Sequence, residues 1–347
     1  FVPQPITMTR ASAGTRVNPS GLVETVELLG SEEIVNGDFA TDSNWSKNTG
    51  WTISGGTANK DSVDTNYLTQ DFSGNGQFKI TYTISGYVSG DVRLRVGTGF
   101  STIIRTSNGT YTEYITKDSA SFGFYGVGEF SIDNISVKES TKNNLARVDY
   151  DGTASSLLVE PERTNLVTYS EDFSQWSATA IGTTLSVSTV ISPDGGQNAY
   201  KLKADGTNLF ARVDDVLSIT SGDNIFYSVF LKKSDTHNIA TIRINGTNIG
   251  SSANNSTYEF DFSTETISRR TGGTAISTLV QNVGNGWYRV GIELSNSTIT
   301  SASIYPSFND ANGGEVLIWG AQLEEGSYAT SYIPTDGGTV TRVQDQY

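Results

Sequence analysis

The chain has 347 residues, 17% of them charged, with no cysteine, one histidine and a formal net charge of −14. Zero cysteines exclude a disulfide framework and a thiolate metal site, and the single His237 excludes a zinc centre or relay built on several histidines of one chain. The charge argues against nucleic acid, whose phosphates call for Lys and Arg, and against an anionic membrane surface; it suits a soluble, calcium-bearing or extracellular molecule.

No apolar run of about 18 residues supports membrane insertion, and no secretory signal is legible. The first residue is Phe1 rather than Met, which leads to the expectation of a processed N-terminus. The length suggests about two or three domains. Abundant Gly, Ser, Thr and Asn suggest an all-β chain with many turns.

Residues 1–30 mix short β-like runs with Gly and Pro turns, and read as an N-terminal arm or docking segment, or equally as a first strand pairing into the next domain. Residues 31–140 form a clear β unit. In "QFKITYTIS" Phe78, Ile80, Tyr82 and Ile84 share one face, and in "DVRLRVG" Val92, Leu94 and Val96 do the same; this period of two marks half-buried strands. In "EFSIDNISVKES" the inward phase runs through Phe130 and Ile132, then resumes on Ile135 and Val137. That one-residue slip predicts a β-bulge at Asp133–Asn134.

Residues 141–164 read as a connector with one short strand, and 165–335 as a second, larger β-sandwich. In "GWYRVGIEL" Tyr288, Val290, Ile292 and Leu294 take one face, while Trp287, Arg289 and Glu293 take the other. Residues 336–347 read as a C-terminal tail. "NGDFATDSNW" near the start of the first unit is echoed by "SEDFSQW" near the start of the second, and the closing strands are echoed too. First and last strands that pair are what a jelly roll requires, so the expected architecture is all-β, with tandem jelly-roll sandwiches.

With "NGDF" at Asn36–Phe39, Trp45, Trp51 and "IDNISV" at Ile132–Val137, the first unit resembles the jelly rolls of carbohydrate-binding modules, which are lectin-like in form. That resemblance implies a structural calcium, with Asp133 in the closing strand and Asp38 in the opening segment as its carboxylates; the alternative is a bulge capped by Asp133 itself. "TRASAGTRVNPSGLVETV", "RVDYDGTASSLLVEPERTNLVTYSEDFSQW", and "GWYRV" with "IWGAQLEEGSYATSYIPT" resemble bacteriophage tail-fibre and other virion-surface proteins. This implies a homo-oligomer, with a trimer favoured, attached to other virion proteins and exposed on the virion surface.

Sugar rings stack their C–H faces on aromatics while polar groups reach the hydroxyls. The candidate carbohydrate-binding residues facing away from the core phase are Trp287, with Arg289 and Glu293 on its face, and Tyr125. Trp45, Trp51, Trp176 and Trp319 read as core. The carboxylate pairs Glu160/Glu162, Glu171/Asp172 and Glu324/Glu325 are poor catalytic candidates, because strand neighbours point to opposite faces whereas glycosidases need carboxylates converging at about 5–9 Å.

The expectation is therefore a non-enzymatic virion structural protein (a fibre, decoration or receptor-binding component) that binds bacterial surface polysaccharide. The alternatives are an accessory carbohydrate-binding region of a polysaccharide-degrading enzyme, or a secreted bacterial adhesin.

Overall fold

A computed structural model describes residues 8–97, 99–117, 121–176, 178–220, 222–234, 237–249, 253–295, 298–308 and 314–347. Among them there is no α-helix; a 3-10 turn at Phe173–Gln175 accompanies 26 strands. The chain divides into two compact units. One is Glu27–Lys142; the other joins residues up to Val26 with Asn143–Tyr347. The smaller unit is thus inserted, in sequence, into the larger one. Residues 8–26 of the expected arm, 143–164 of the expected connector and the expected tail at 336–347 group with the larger unit.

The larger unit opens with a hairpin of β1 (Thr15–Val17) and β2 (Val23–Thr25). The smaller unit then contains β3 (Leu28–Glu32), β4 (Ser46–Lys47), β5 (Trp51–Ser54), β6 (Thr57–Thr69), β7 (Gly76–Val96), β8 (Gly99–Phe100), β9 (Gly109–Lys117) and β10 (Phe122–Thr141). Its backbone is a long antiparallel ribbon of β7 and β10. One half of β10 lies between β6 and β7, the other between β3 and β7, while β9 pairs only with the first half of β7. The ribbon therefore serves both layers around a single core that includes Phe78, Tyr82, Leu94, Phe124 and Ile132.

The two runs read as separate strands in the sequence, "QFKITYTIS" and "DVRLRVG", are one strand bent at "SGYVSG". At the bend Gly90 has φ +99°, and a Cβ there would lie 1.7 Å from the Val127 carbonyl oxygen. Only a residue without a side chain allows the two strands to approach so closely. The predicted bulge is present, as a register shift between Asp133 and Ser136 with Asn134 at φ +53°.

The larger unit continues with β11 (Arg147–Asp151), β12 (Ala154–Leu158), β13 (Arg163–Asn165), β14 (Ala178–Ile181), β15 (Thr183–Val187), β16 (Tyr200–Ala204), β17 (Arg212–Thr220), β18 (Ile225–Lys233), β19 (Ile239–Ile249), β20 (Ala253–Asp261), β21 (Thr266–Gly272), β22 (Ser277–Gly284), β23 (Trp287–Leu294), β24 (Thr298–Tyr305), β25 (Glu315–Glu325) and β26 (Val340–Arg342). Two six-stranded antiparallel sheets, in the orders β14-β17-β24-β19-β20-β21 and β15-β16-β25-β18-β23-β22, enclose its main core. This is the two-layer sandwich expected of alternating strands.

A second, smaller apolar cluster lies on the outer face of the β25-β18-β23 sheet, where Val23, Phe230, Trp287, Leu317, Trp319 and Tyr332 are buried together. The N-terminal hairpin and the segment after β25 supply Val23 and Tyr332, making a third layer over this sheet. Trp45, Trp51 and Trp176 are core residues as expected. Trp319 is also buried, but in the outer cluster. A register shift opposite Ser228–Phe230, with Gly320 at φ +61°, moves the inward phase from Ile318 to Ala321 and Leu323.

Charge is buried where the ends of the larger unit meet. Asp345 accepts hydrogen bonds from Arg10 (2.8 Å) and from Arg147. Glu160 pairs with Arg147 (2.8 Å) and Arg342 (3.1 Å). Burial alone would raise the Glu160 and Asp345 carboxyls, but their arginines and hydrogen bonds outweigh it and hold both below the usual carboxylate range. Asn165 donates to the carbonyls of Ala321 and Ile333 and accepts from Leu323, and Glu324 accepts from Thr330 and Gln322. Three of the stretches that carry the virion-protein resemblance thus meet in one buried clasp, together with Arg342 and Asp345 near the end of the chain.

Candidate carbohydrate-binding face

The sequence-predicted trio does not form a surface site. Trp287, Arg289 and Glu293 do point away from the sandwich core, but their face lies beneath the third layer. Trp287 is 1% exposed and donates through Nε1 to the Ile191 carbonyl (2.9 Å). Arg289 is 6% exposed and donates to Ser228 Oγ and to the Thr330 carbonyl (2.6 Å). Glu293 accepts from Asn224 (2.8 Å) and Ser277 (2.7 Å). Burial draws the Arg289 guanidinium below its ordinary pKa, against the opposing pull of Glu324 and Glu160. Strand alternation identifies the face of a side chain; it carries no information about what later covers that face.

Tyr125 stands differently. In the smaller unit β6, β10 and β7 lie side by side, and Tyr67, Tyr125 and Arg93 are direct cross-strand neighbours. Their inward neighbours Leu68, Phe124 and Leu94 are fully buried, which fixes this row on the outer face. The Tyr67 and Tyr125 rings meet edge to face, with centroids 5.9 Å apart at 60°. The Arg93 guanidinium lies 5.9 Å from the Tyr125 centroid, and that of Arg95 lies 4.7 Å from Tyr67. Such contacts hold guanidinium groups in place over aromatic rings.

Arg95 can reach Tyr67 because its own row runs through Gly123, which has no side chain to intervene. A Cβ at Gly123 would lie 2.2 Å from the Leu68 carbonyl oxygen, so the position stays bare. Asp91 accepts from Arg93 (3.2 Å), completing a half-buried surface of two phenols, two guanidinium groups and one carboxylate. Aromatic faces for C–H groups, beside planar donors and an acceptor for hydroxyls, are the chemistry of saccharide recognition. The sequence pointed to Tyr125 alone. Tyr67, Arg93 and Arg95 were missed because the register that aligns them is set by pairing between distant strands.

The calcium pair is placed as in the capped-bulge alternative. Asp133 accepts from the Asn134 backbone N–H (2.6 Å) and from its side-chain amide (3.0 Å), so both oxygens serve the bulge. Asp38 accepts from the Ala40 N–H at 3.4 Å. Among the described residues no three His, Cys, Asp or Glu side chains cluster, so a calcium ion here would draw mainly on backbone carbonyls.

Of the three carboxylate pairs, Glu324 and Glu325 split as strand neighbours in β25, while Glu160 and Glu162 differ in burial without lying on a strand. Glu160 and Glu324 are buried in the clasp, while Glu162 and Glu325 are exposed. The third pair does not split. Glu171 and Asp172 precede the 3-10 turn rather than lying on a strand, and both line one cleft of about 730 Å³. Burial raises the Glu171 carboxyl to about 7, helped by the charge of Asp194. Asp172 is held below the usual range: its burial is outweighed by hydrogen bonds from Ser174 and Tyr200.

No protein-family model matches the chain, and no curated protein sequence matches it. Among solved structures, it is similar to the N-terminal CBM22-1–CBM22-2 tandem domain of Xyn10C from Paenibacillus barcinonensis. The identity is 9% and the TM-score 0.29, over 87% of this chain and 98% of that one. A likeness at that score carries no inference about function. Among the described residues, no helix is long and apolar enough to cross a membrane.

Proposed function

We propose that the protein is a non-catalytic carbohydrate-binding protein, whose smaller unit presents the Tyr67–Tyr125–Arg93–Arg95 face to a host-surface polysaccharide. The observation that carries this reading is the cross-strand row of two tyrosines overlaid by two arginines, on a sheet face whose other side is fully buried. In keeping with the resemblance of its clasp-forming stretches, it works as a homo-oligomeric component of a virion surface, with a trimer favoured. An accessory region of a polysaccharide-degrading enzyme and a secreted adhesin would use the same face, and differ in what they are joined to.

A face of this size gives millimolar binding, about −4 kcal/mol, which display in several copies raises by orders of magnitude. The test is a glycan array probed with the full chain on a multivalent support, beside Tyr125→Ala and Arg95→Ala. Both variants are expected to lose most of the signal while keeping the parent melting temperature. Undiminished binding by both would refute the site. Light scattering checks assembly, with a mass of three chains expected.

A further inference from the structure

We propose that the larger unit carries a second carbohydrate site, in the cleft lined by Asp172, Val187, Asn198, Tyr200, Asp336 and Val340, and that this site takes neutral saccharides. The class of ligand rests on the carbohydrate-binding reading above; the location rests on the cleft itself.

The cleft encloses about 730 Å³, room for a sugar unit and its neighbours. Two exposed aliphatic residues line it, Val187 at 61% exposure and Val340 at 41%. Tyr200, the cross-strand neighbour of Val187, is half-buried and also lines the cleft, its ring held edge-on by Phe173 at 5.8 Å. Two branched aliphatic groups and a phenol ring offer the contacts that the C–H face of a pyranose needs.

The polar side is positioned as firmly. The Tyr200 hydroxyl donates to Asp172 Oδ1 (2.6 Å), which also accepts from the Ser174 N–H (3.1 Å). Asn198 donates to Glu171 (2.9 Å), and the buried Tyr332 hydroxyl donates to the same carboxyl (3.1 Å). These bonds fix the acids and amides before a ligand arrives, which lowers the ordering cost of binding. Uronates, sialates and sulfated sugars would meet Asp172 and Asp336, joined by Glu171 once it ionises, with no lysine or arginine among the described lining residues, so the cleft selects uncharged sugars. The face on the smaller unit, with two arginines, has no such restriction.

The experiment is a titration of the full chain, with 13C-labelled valine methyls, against neutral gluco-, manno- and galacto-oligosaccharides and against a uronate oligosaccharide. A neutral sugar is expected to shift the Val187 and Val340 methyl signals, and to shift them equally in Tyr125→Ala. The uronate is expected to leave them unmoved. Val340→Arg and Val187→Arg replace exposed residues, so folding is spared; either should weaken the shifts at the remaining valine at least tenfold. If the array signal is present and lost in Tyr125→Ala while the cleft valines never move, the second site is refuted and the first stands. If the valines move only with the uronate, the charge argument is overturned. If they move while Tyr125→Ala leaves the array signal unchanged, the first site fails and the second stands.

Discussion

At the residue scale, the arginines of the clasp differ from ordinary surface ion pairs. Arg147 is fully buried, and its guanidinium serves Glu160, Asp345, Ser331 and the Thr15 carbonyl. Removing it takes one of two arginines from each of two buried carboxylates, Glu160 keeping Arg342 and Asp345 keeping Arg10, so the cost falls toward the lower end of the about 3–5 kcal/mol for breaking a buried pair. Arg147→Ala is therefore expected to lower the melting temperature of the larger unit sharply, as read by calorimetry, with the smaller unit's transition unchanged. A loss no larger than that of an exposed control such as Arg269→Ala would show that water replaces the guanidinium. None of this was legible in the sequence, where "EPER" and "TRVQD" look like solvated charge. A buried charge is recognisable only once its partners, 185 residues away in the case of Glu160 and Asp345, are known to be adjacent.

At the scale of elements, the sequence was most informative where one side of a strand faces water. The alternation of β7 and β10, the position of the bulge and the core placement of Trp45, Trp51 and Trp176 all followed from period and local motif. It was least informative where a third layer covers a sheet, as over Trp287, or where a strand bends without ending, as in β7. The bend has its own test. At Gly90 any side chain meets the Val127 carbonyl, and the backbone is in the left-handed region. Gly90→Ala is expected to destabilise the smaller unit by about 2–3 kcal/mol, with urea denaturation followed by tyrosine fluorescence as the check. Gly55→Ala, at φ +65° with open space around it, isolates the cost of the dihedral alone.

On the whole-molecule scale, two groups of acids oppose one another across the pH range. Glu171 has a folded pKa of about 7, above its ordinary 4.5, because burial and Asp194 disfavour its charge. Asp215 is raised by burial to about 6 from 3.8, and its Oδ2 is buried with no hydrogen-bond partner. For both, the folded state binds the proton more tightly. Their stabilisation is complete below the unfolded value and is lost as pH rises through the folded one. Glu160 and Asp345 have depressed pKa values, so their contribution is lost as pH falls. The larger unit is thus expected to be most stable in mild acid, near pH 5, with its melting temperature falling toward pH 7.5 and again below pH 4. Glu171→Gln together with Asp215→Asn should flatten the alkaline limb and leave the acid limb in place. A melting temperature that rises steadily from pH 5 to 7.5 would contradict the assignment.

The clasp also decides how the molecule responds to being pulled. Thr9 and Gln346 exchange two backbone hydrogen bonds, of 2.8 and 3.1 Å, in an antiparallel bridge, so the outermost described residues at both ends of the larger unit emerge side by side. Tension applied across them peels this bridge one bond at a time, the geometry in which β-structure yields most easily. The buried Arg10–Asp345 pair stands immediately behind it. The inserted unit is reached through Val26 and Asn143, inside that latch, and the neighbouring backbone is held by the bonds from Val26 to Gly14 and from Asn144 to Arg10. Until the latch opens, the inserted unit carries none of the load. Tension that strains the larger unit in this way would leave the Tyr67–Tyr125 face undeformed.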